Sequence, residues 1–277
     1  MTVIEVIQRS TEFLTRKGVD SPRLQAELLL ADVLQLPRLK LYLEFERPLS
    51  DAQADRMRDL VKRRGEREPL QHILGSTSFC GIEIGVTPDV LVPRPETEML
   101  AETGWEYLKQ RAGEPVVLDY GTGSGCIAIA LAAHFPSATI HAVDVSEKAL
   151  AIARANAAKY NITFHQGSGI PELPPIDLFI SNPPYIPSTE IPTLQAEVAR
   201  FDPHLALDGG ADGLDFYRRI AAEALPRMAD EGRLMLEFGD GQEAALQEIF
   251  AADWAIDQIK ADLCRKPRIL IARRRRK

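Results

Sequence analysis

Val116-Val117-Leu118-Asp119-Tyr120-Gly121-Thr122-Gly123-Ser124-Gly125-Cys126 is the stretch that decides the fold. Val116 to Tyr120 reads as a short buried strand, three glycines follow at alternate positions, and the apolar run Cys126 to Ala133 reads as a helix. Residues without side chains at a strand-to-helix turn let backbone N–H groups approach a ligand, next to the positive end of the helix. A lone G-x-G-x-G is weak; its place between strand and helix gives it content. The next strand, Thr139 to Val143, ends in Asp144, 23 residues beyond Gly121. An acid there, at a strand's carboxyl end, suits two ribose hydroxyls. Asp144 could otherwise cap the helix Ser146 to Ala158, but Ser146 fills that position. Strand, glycine loop, helix, strand and acid together signal an adenosine-containing cofactor without saying which.

Some sixty residues after the glycine loop comes Ile180-Ser181-Asn182-Pro183-Pro184-Tyr185, preceded by the apolar Ile176 to Phe179. Asn182 and Pro183 each precede a proline and are pushed out of the helical region. Pro183 and Pro184 have fixed φ and no N–H, so the turn is stiff and its carbonyls are free to accept. It is a ready-made acceptor site for an NH₂ group, at the strand end where open α/β sheets bind ligands. An ordinary proline-rich loop is the plain alternative; the preceding buried strand and Tyr185 favour the functional reading. Adenine and glutamine both present a planar NH₂ to such a pair of acceptors, so the turn alone leaves the acceptor open.

At 277 residues, 45% hydrophobic and 26% charged, the chain is long enough for two cores. No apolar run approaches the roughly 18 residues of a membrane span. Met1 to Ser10 lacks a signal peptide's charged start and apolar core. A cytoplasmic protein with no membrane partner is expected. Cys80, Cys126 and Cys264 form no C-x-x-C, and the five histidines show no H-x-x-x-H spacing, so no metal site is expected. Residues 1–75 carry 13 Lys+Arg against 12 Asp+Glu; the remainder carries 20 against 28, and 5 of those 20 lie in Arg273 to Lys277. So acidic a carboxyl part repels phosphate backbones, which argues against a nucleic-acid substrate. The basic tail reads as a solvated terminus.

Three parts follow along the chain. Residues 1–68 read as helices: Val3, Val6, Ile7 and Leu14 at helical spacing, Ser21-Pro22 as N-cap and first position of a second helix, and Ser50 to Gln53 as a capping box opening a third. They hold no catalytic constellation, and a substrate-reading domain is expected. Residues 69–92 shift to period two around Phe79, Ile82, Ile84 and Val86, which suggests a hairpin linker. Residues 93–277 form the α/β domain, completed by a helix over 213–228, a strand over 233–238, a helix over 242–250 and a last strand pair, 254–259 with 268–272. Glu197, Arg200 and Asp202 fall on a long loop after the proline turn, and Arg94 and Glu96 precede a helix at a possible active-site mouth.

Asn182 to Tyr185, Leu91 to Glu98, Asp119 to Gly125 and the helical amino-terminal region together resemble the bacterial glutamine methyltransferases that act on peptide-chain release factors. The resemblance covers nearly the whole chain. It implies a Rossmann-like seven-stranded domain preceded by a small α-helical domain. It implies S-adenosylmethionine as donor, S-adenosylhomocysteine as product, and the Gly-Gly-Gln glutamine of class I release factors as acceptor. Carried over by motif, Asp119, Gly121, Thr122, Gly123, Ser124, Gly125, Asp144 and Asn182 would hold the cofactor. Asn182, Pro183, Pro184 and Tyr185 would hold the glutamine, with Asn182, Pro183 and Tyr185 as the catalytic set. Ribosomal-protein glutamine methylation, methylation of an exocyclic amine on DNA or RNA, and a non-catalytic cofactor-binding scaffold stand as alternatives. The chain departs from the pattern at Gln166-Gly167-Ser168-Gly169-Ile170, where an acid and a large apolar residue are usual, at Tyr120 in place of an aliphatic, and at His72 in place of tyrosine.

Overall fold

The computed structural model describes residues 1–275. One compact unit is helical and comprises Met1–Ser76 together with Gln195–Phe201. Thr2 and Glu5 form a capping box for α1 (Val3–Arg16). Ser50 and Gln53 do the same for α3 (Asp51–Gly65), with reciprocal bonds of 3.3 and 3.0 Å, as the sequence predicts. α2 (Pro22–Leu34) begins on its proline, but Ser21 has φ 47° and makes no side-chain cap. An N-cap needs an extended backbone to aim its oxygen at the first turn, and Ser21 lacks it. With α4 (Leu70–Leu74) these helices bury Val3, Ile7, Leu14, Leu29, Leu30 and Met57. The segment expected as loop contributes a short helix here, Ala196–Phe201 (α8 in chain order). Glu197 accepts from Nη2 of both Arg64 and Arg67, each at 2.7 Å.

The second unit spans Thr77–Leu194 and the chain from Asp202 on. The period-two stretch forms the expected hairpin, β1 (Ser76–Phe79) and β2 (Ile82–Gly85). Then come α5 (Pro95–Leu108), β3 (Val116–Tyr120), α6 (Cys126–His134), β4 (Thr139–Asp144), α7 (Glu147–Asn156), β5 (Ile162–Gln166) and β6 (Ile176–Ser181). After α8 follow α9 (Asp215–Ala224), β7 (Met228–Glu237), α10 (Glu243–Phe250), β8 (Trp254–Ala261) and β9 (Pro267–Arg274). The sheet has the expected seven strands, ordered β5-β4-β3-β6-β7-β9-β8. β9 is antiparallel to both its neighbours. Winding reverses at β3, so the carboxyl ends of β3 and β6 flank a crevice. Leu118 pairs with Phe179 and Asp119 with Ile180, which brings the glycine loop and the proline turn out side by side. One apolar layer holds Leu100, Ile129 and Leu131; the other holds Tyr217, Phe250 and Trp254.

Two boundaries differ from expectation. α9 ends at Ala224 because Leu225–Arg227 forms a 3₁₀ turn around Pro226, and β7 then starts at Met228, ahead of the expected Arg233. The basic end is no free tail as far as it is described. Arg273 pairs with Asp257 and Arg274 with Asp230, while Arg275 donates to the Trp254 carbonyl. Arg276 and Lys277 lie outside the described residues. Among the described residues no helix is long and apolar enough to cross a membrane.

Candidate active site

The glycine loop folds over the end of β4. Gly121 and Thr122 donate their N–H groups to the Val143 carbonyl at 2.9 and 3.0 Å. Gly123 donates to Asp144 Oδ2 and Ser146 to Asp144 Oδ1, both at 2.9 Å. Two backbone donors therefore fix the Asp144 carboxylate, and each oxygen keeps a lone pair for a further donor. Asp119 sits beneath the loop, where its Oδ2 accepts from the Thr122 hydroxyl at 2.6 Å and from Ala128 N at 3.2 Å. Complete burial pushes its carboxyl up to about 7, against those two bonds. It braces the loop from below. Ser124 is also buried, and a methyl group on Gly125 would stand 3.2 Å from the Ala153 side chain, so these two face α7.

A cavity of about 280 Å³ opens above the loop, between Leu91, Gly123, Asp144, Ser168, Asn182 and Phe216. Of the residues singled out in the sequence, Gly121, Gly123, Asp144, Asn182 and Pro184 line it. Two of the departures from the expected pattern, Tyr120 and the stretch with Gly167 and Ser168, meet here. The Tyr120 hydroxyl donates to the Ser168 carbonyl at 2.5 Å, and Arg219 donates to the same oxygen. The Arg219 guanidinium lies over the rings of Tyr120 and Phe216, at 5.6 and 5.4 Å from their centroids. Phe216 and Arg219 escape a reading of the sequence, their only signal being an aromatic and a cation three apart on a helix. A larger groove of about 890 Å³, along α5 and β8, contains neither the glycine loop nor the proline turn, so size alone does not mark the site.

The proline turn is held from behind. Asn182 Nδ2 donates to Thr97 Oγ1 at 3.0 Å, which leaves its Oδ1 for another partner. Gln242 donates to the Tyr185 carbonyl at 2.9 Å and accepts from Gly239 N at 2.9 Å. Burial pushes the Tyr185 phenol up to about 12, so it stays protonated. Arg94 and Asp202, which the sequence only places near a mouth and on a loop, pair at 2.6 Å. Thr97, Glu237 and Gln242 complete the surroundings; Thr97 falls within the Leu91 to Glu98 stretch that carries the resemblance but is given no role there, and Glu237 and Gln242 carry no signal in the sequence.

A doubly wound sheet whose reversal point brings a glycine loop, an acid and a proline turn into one crevice is the work of an S-adenosylmethionine-dependent methyltransferase. Residues 97–210 match the family described as Methyltransferase small domain, and residues 5–75 the one described as PrmC N-terminal domain. A release factor glutamine methyltransferase of Geobacter sulfurreducens is 43% identical over 254 residues, 90% of this chain and 88% of the relative. One of Deinococcus radiodurans is 39% identical over 278 residues, 99% of each. The chain belongs to the family of release factor glutamine methyltransferases. A methyltransferase structure from Pyrococcus furiosus, 19% identical, superposes with a TM-score of 0.51 over 81% of this chain and 98% of that one, a likeness of fold.

The cavity suits the cofactor. A methyl group built on Gly121 or Gly123 would meet nothing within 4 Å, so the space over the loop is open. A ribose placed there would find the free lone pairs of Asp144, whose two oxygens each take one backbone donor. Tyr120, Phe216 and Arg219, which line the cavity, would supply flat faces in place of the usual acid and large apolar residue.

Proposed function

We propose that this chain transfers a methyl group to the side-chain amide nitrogen of the glutamine in the Gly-Gly-Gln motif of class I peptide-chain release factors. The observation that carries the reading is the Asn182 amide, tied by its nitrogen to Thr97 with its oxygen left over, beside a cavity suited to S-adenosylmethionine. That cofactor supplies an electrophilic methyl on a sulfonium and leaves as S-adenosylhomocysteine. An amide nitrogen is a poor nucleophile because its lone pair is delocalised. Asn182 Oδ1 and the Pro183 carbonyl would accept its two hydrogens, fix the nitrogen and favour charge build-up on it. Positioning of this kind supplies on the order of 7–11 kcal/mol. Tyr185, a neutral phenol, would pack on the amide plane and favour the cationic methyl by cation–π attraction. No strong base is needed, since an N-alkylated, protonated amide loses its proton to water.

The helical unit is the proposed reader of the release factor, and cytoplasmic location goes with a substrate from the translation machinery. Incubation with labelled S-adenosylmethionine, release factor, total RNA and duplex DNA should label one glutamine of the protein, and substituting that glutamine should abolish it. Label entering nucleic acid at a comparable rate would refute the assignment.

A further inference from the structure

Between β2, which ends at Gly85, and α5, which begins at Pro95, the chain runs without helix or strand. Asp89, Val90 and Leu91 of this strap line the cavity of about 280 Å³, as do Gly121 and Gly123 of the glycine loop. No ladder of backbone bonds sets the strap's place, so its position rests on burial and on side-chain bonds. Val86, Val90 and Val92 are buried. Apolar burial is non-directional, and it holds the strap down without fixing where along the surface it sits.

Asn156, the last residue of α7, supplies the direction. Its Oδ1 accepts from Gly85 N at 2.9 Å, and its Nδ2 donates to the carbonyls of Gly85 and Ser124, each at 2.9 Å. Both amide hydrogens and one oxygen lone pair are thus committed to main chain. Turning the amide over would set its NH₂ against the Gly85 N–H and its oxygen against two carbonyls, so one orientation alone fits. A single side chain therefore ties the root of the strap and the glycine loop to the same point. The other tie from α7, Lys148 to Asp89 at 3.2 Å, joins side chains that are 79% and 43% exposed and contributes little. We propose that Asn156 is a positioning residue for the cofactor, holding strap and glycine loop at the spacing that S-adenosylmethionine fills. The inference rests on the reading of the cavity as the cofactor's site. Without the clamp the strap samples other positions, and affinity falls by the fraction of time the fitting one is populated. Asn182 and the proline turn take no part in these bonds, so the chemistry at saturating cofactor is preserved.

The test compares N156A, N156D, K148A and D144A by calorimetric affinity for S-adenosylmethionine, by thermal unfolding without cofactor, and by kcat on a purified class I release factor at saturating cofactor. N156A removes all three bonds, and because alanine is the better helix former, α7 itself is not weakened. Its dissociation constant should rise about tenfold or more, with kcat within about threefold of wild type. N156D has the same shape and keeps the bond from Gly85 N, but its carboxylate faces two carbonyl oxygens, so affinity should fall at least as far. K148A should bind within about twofold of wild type. Hydrogen exchange over residues 85–92 should quicken in cofactor-free N156A and slow again when S-adenosylmethionine is added. Wild-type affinity or unchanged exchange in N156A would overturn the proposal. So would a loss of kcat at saturation as large as the loss of affinity, or failure of both Asn156 variants to fold, either of which would make Asn156 merely structural. A D144A protein that binds as wild type does would remove the cavity as the cofactor's site; a weakly binding D144A beside an N156A of wild-type affinity would sink the clamp alone.

Discussion

Gly213 has no room for a methyl group. A Cβ there would lie 2.3 Å from the Tyr185 carbonyl oxygen and 2.8 Å from Gln242 Nε2, at φ +76°. The proline turn is thus pressed against bare backbone, and G213A must displace either the turn or the Gln242 bond that anchors it. We expect G213A to cost about 1–3 kcal/mol of stability and to lower methyl transfer more than cofactor affinity, measured by thermal unfolding and calorimetry. Asn182 itself is the sharper case. N182A should reduce transfer about a hundredfold or more with cofactor affinity changed only a few-fold, since its bonds matter to the reacting nitrogen. Near-normal turnover would dismiss the mechanism. Asn182, Asp144 and the glycines are legible in the sequence because backbone chemistry demands those residue types at those places. The roles of Thr97 and Gln242 are not, because each is a single polar residue whose partner lies far along the chain, 85 residues from Thr97 to Asn182 and 57 from Gln242 to Tyr185.

Elements follow the same division. The hairpin, the strands at 116–120, 139–143 and 176–180 and the capped start of α3 announce themselves by period and turn chemistry, whereas the seven strands are what the family resemblance implies, and neither β5 nor the strand order is read from the sequence. α8 does not announce itself either, since a six-residue helix has almost no stability of its own and is held by what it packs on. Its anchor is Glu197 between Arg64 and Arg67. Burial pushes the Glu197 carboxyl up, but the bonds from Arg67 and Arg64 outweigh it and hold the group below its ordinary value. A lowered folded-state pKa means that this stabilisation is present above the unfolded value, about 4.3, and is lost as the pH falls through the lower folded one. Hydrogen exchange at residues 196–201 should therefore lose protection below about pH 4. E197A strands the nearly buried Arg64 at neutral pH and should destabilise the helical unit by on the order of 3 kcal/mol. Protection unchanged by acid or by E197A would show that apolar contacts alone hold the helix.

At the scale of the whole molecule, two units differ in charge, the helical one near neutral and the α/β one acidic. Deleting residues 1–76 should raise KM for the release factor about tenfold or more and leave cofactor affinity within a few-fold. An unchanged KM in a folded truncate would reduce the helices to a structural part. That the chain has a helical part and an α/β part is readable from where the motifs fall, but its path is not: it crosses between the units after Ser76, after Leu194 and again after Phe201. That path bears on how such a protein can change over generations. Recombination at a single crossover near residue 76 would give a chimera whose α8 comes from one parent and the helix it pairs with from the other. The two units are consequently inherited as one piece, and under the proposed reading of the helical unit an engineer who wishes to retarget the enzyme must transplant two separate stretches of gene, the second only seven codons long.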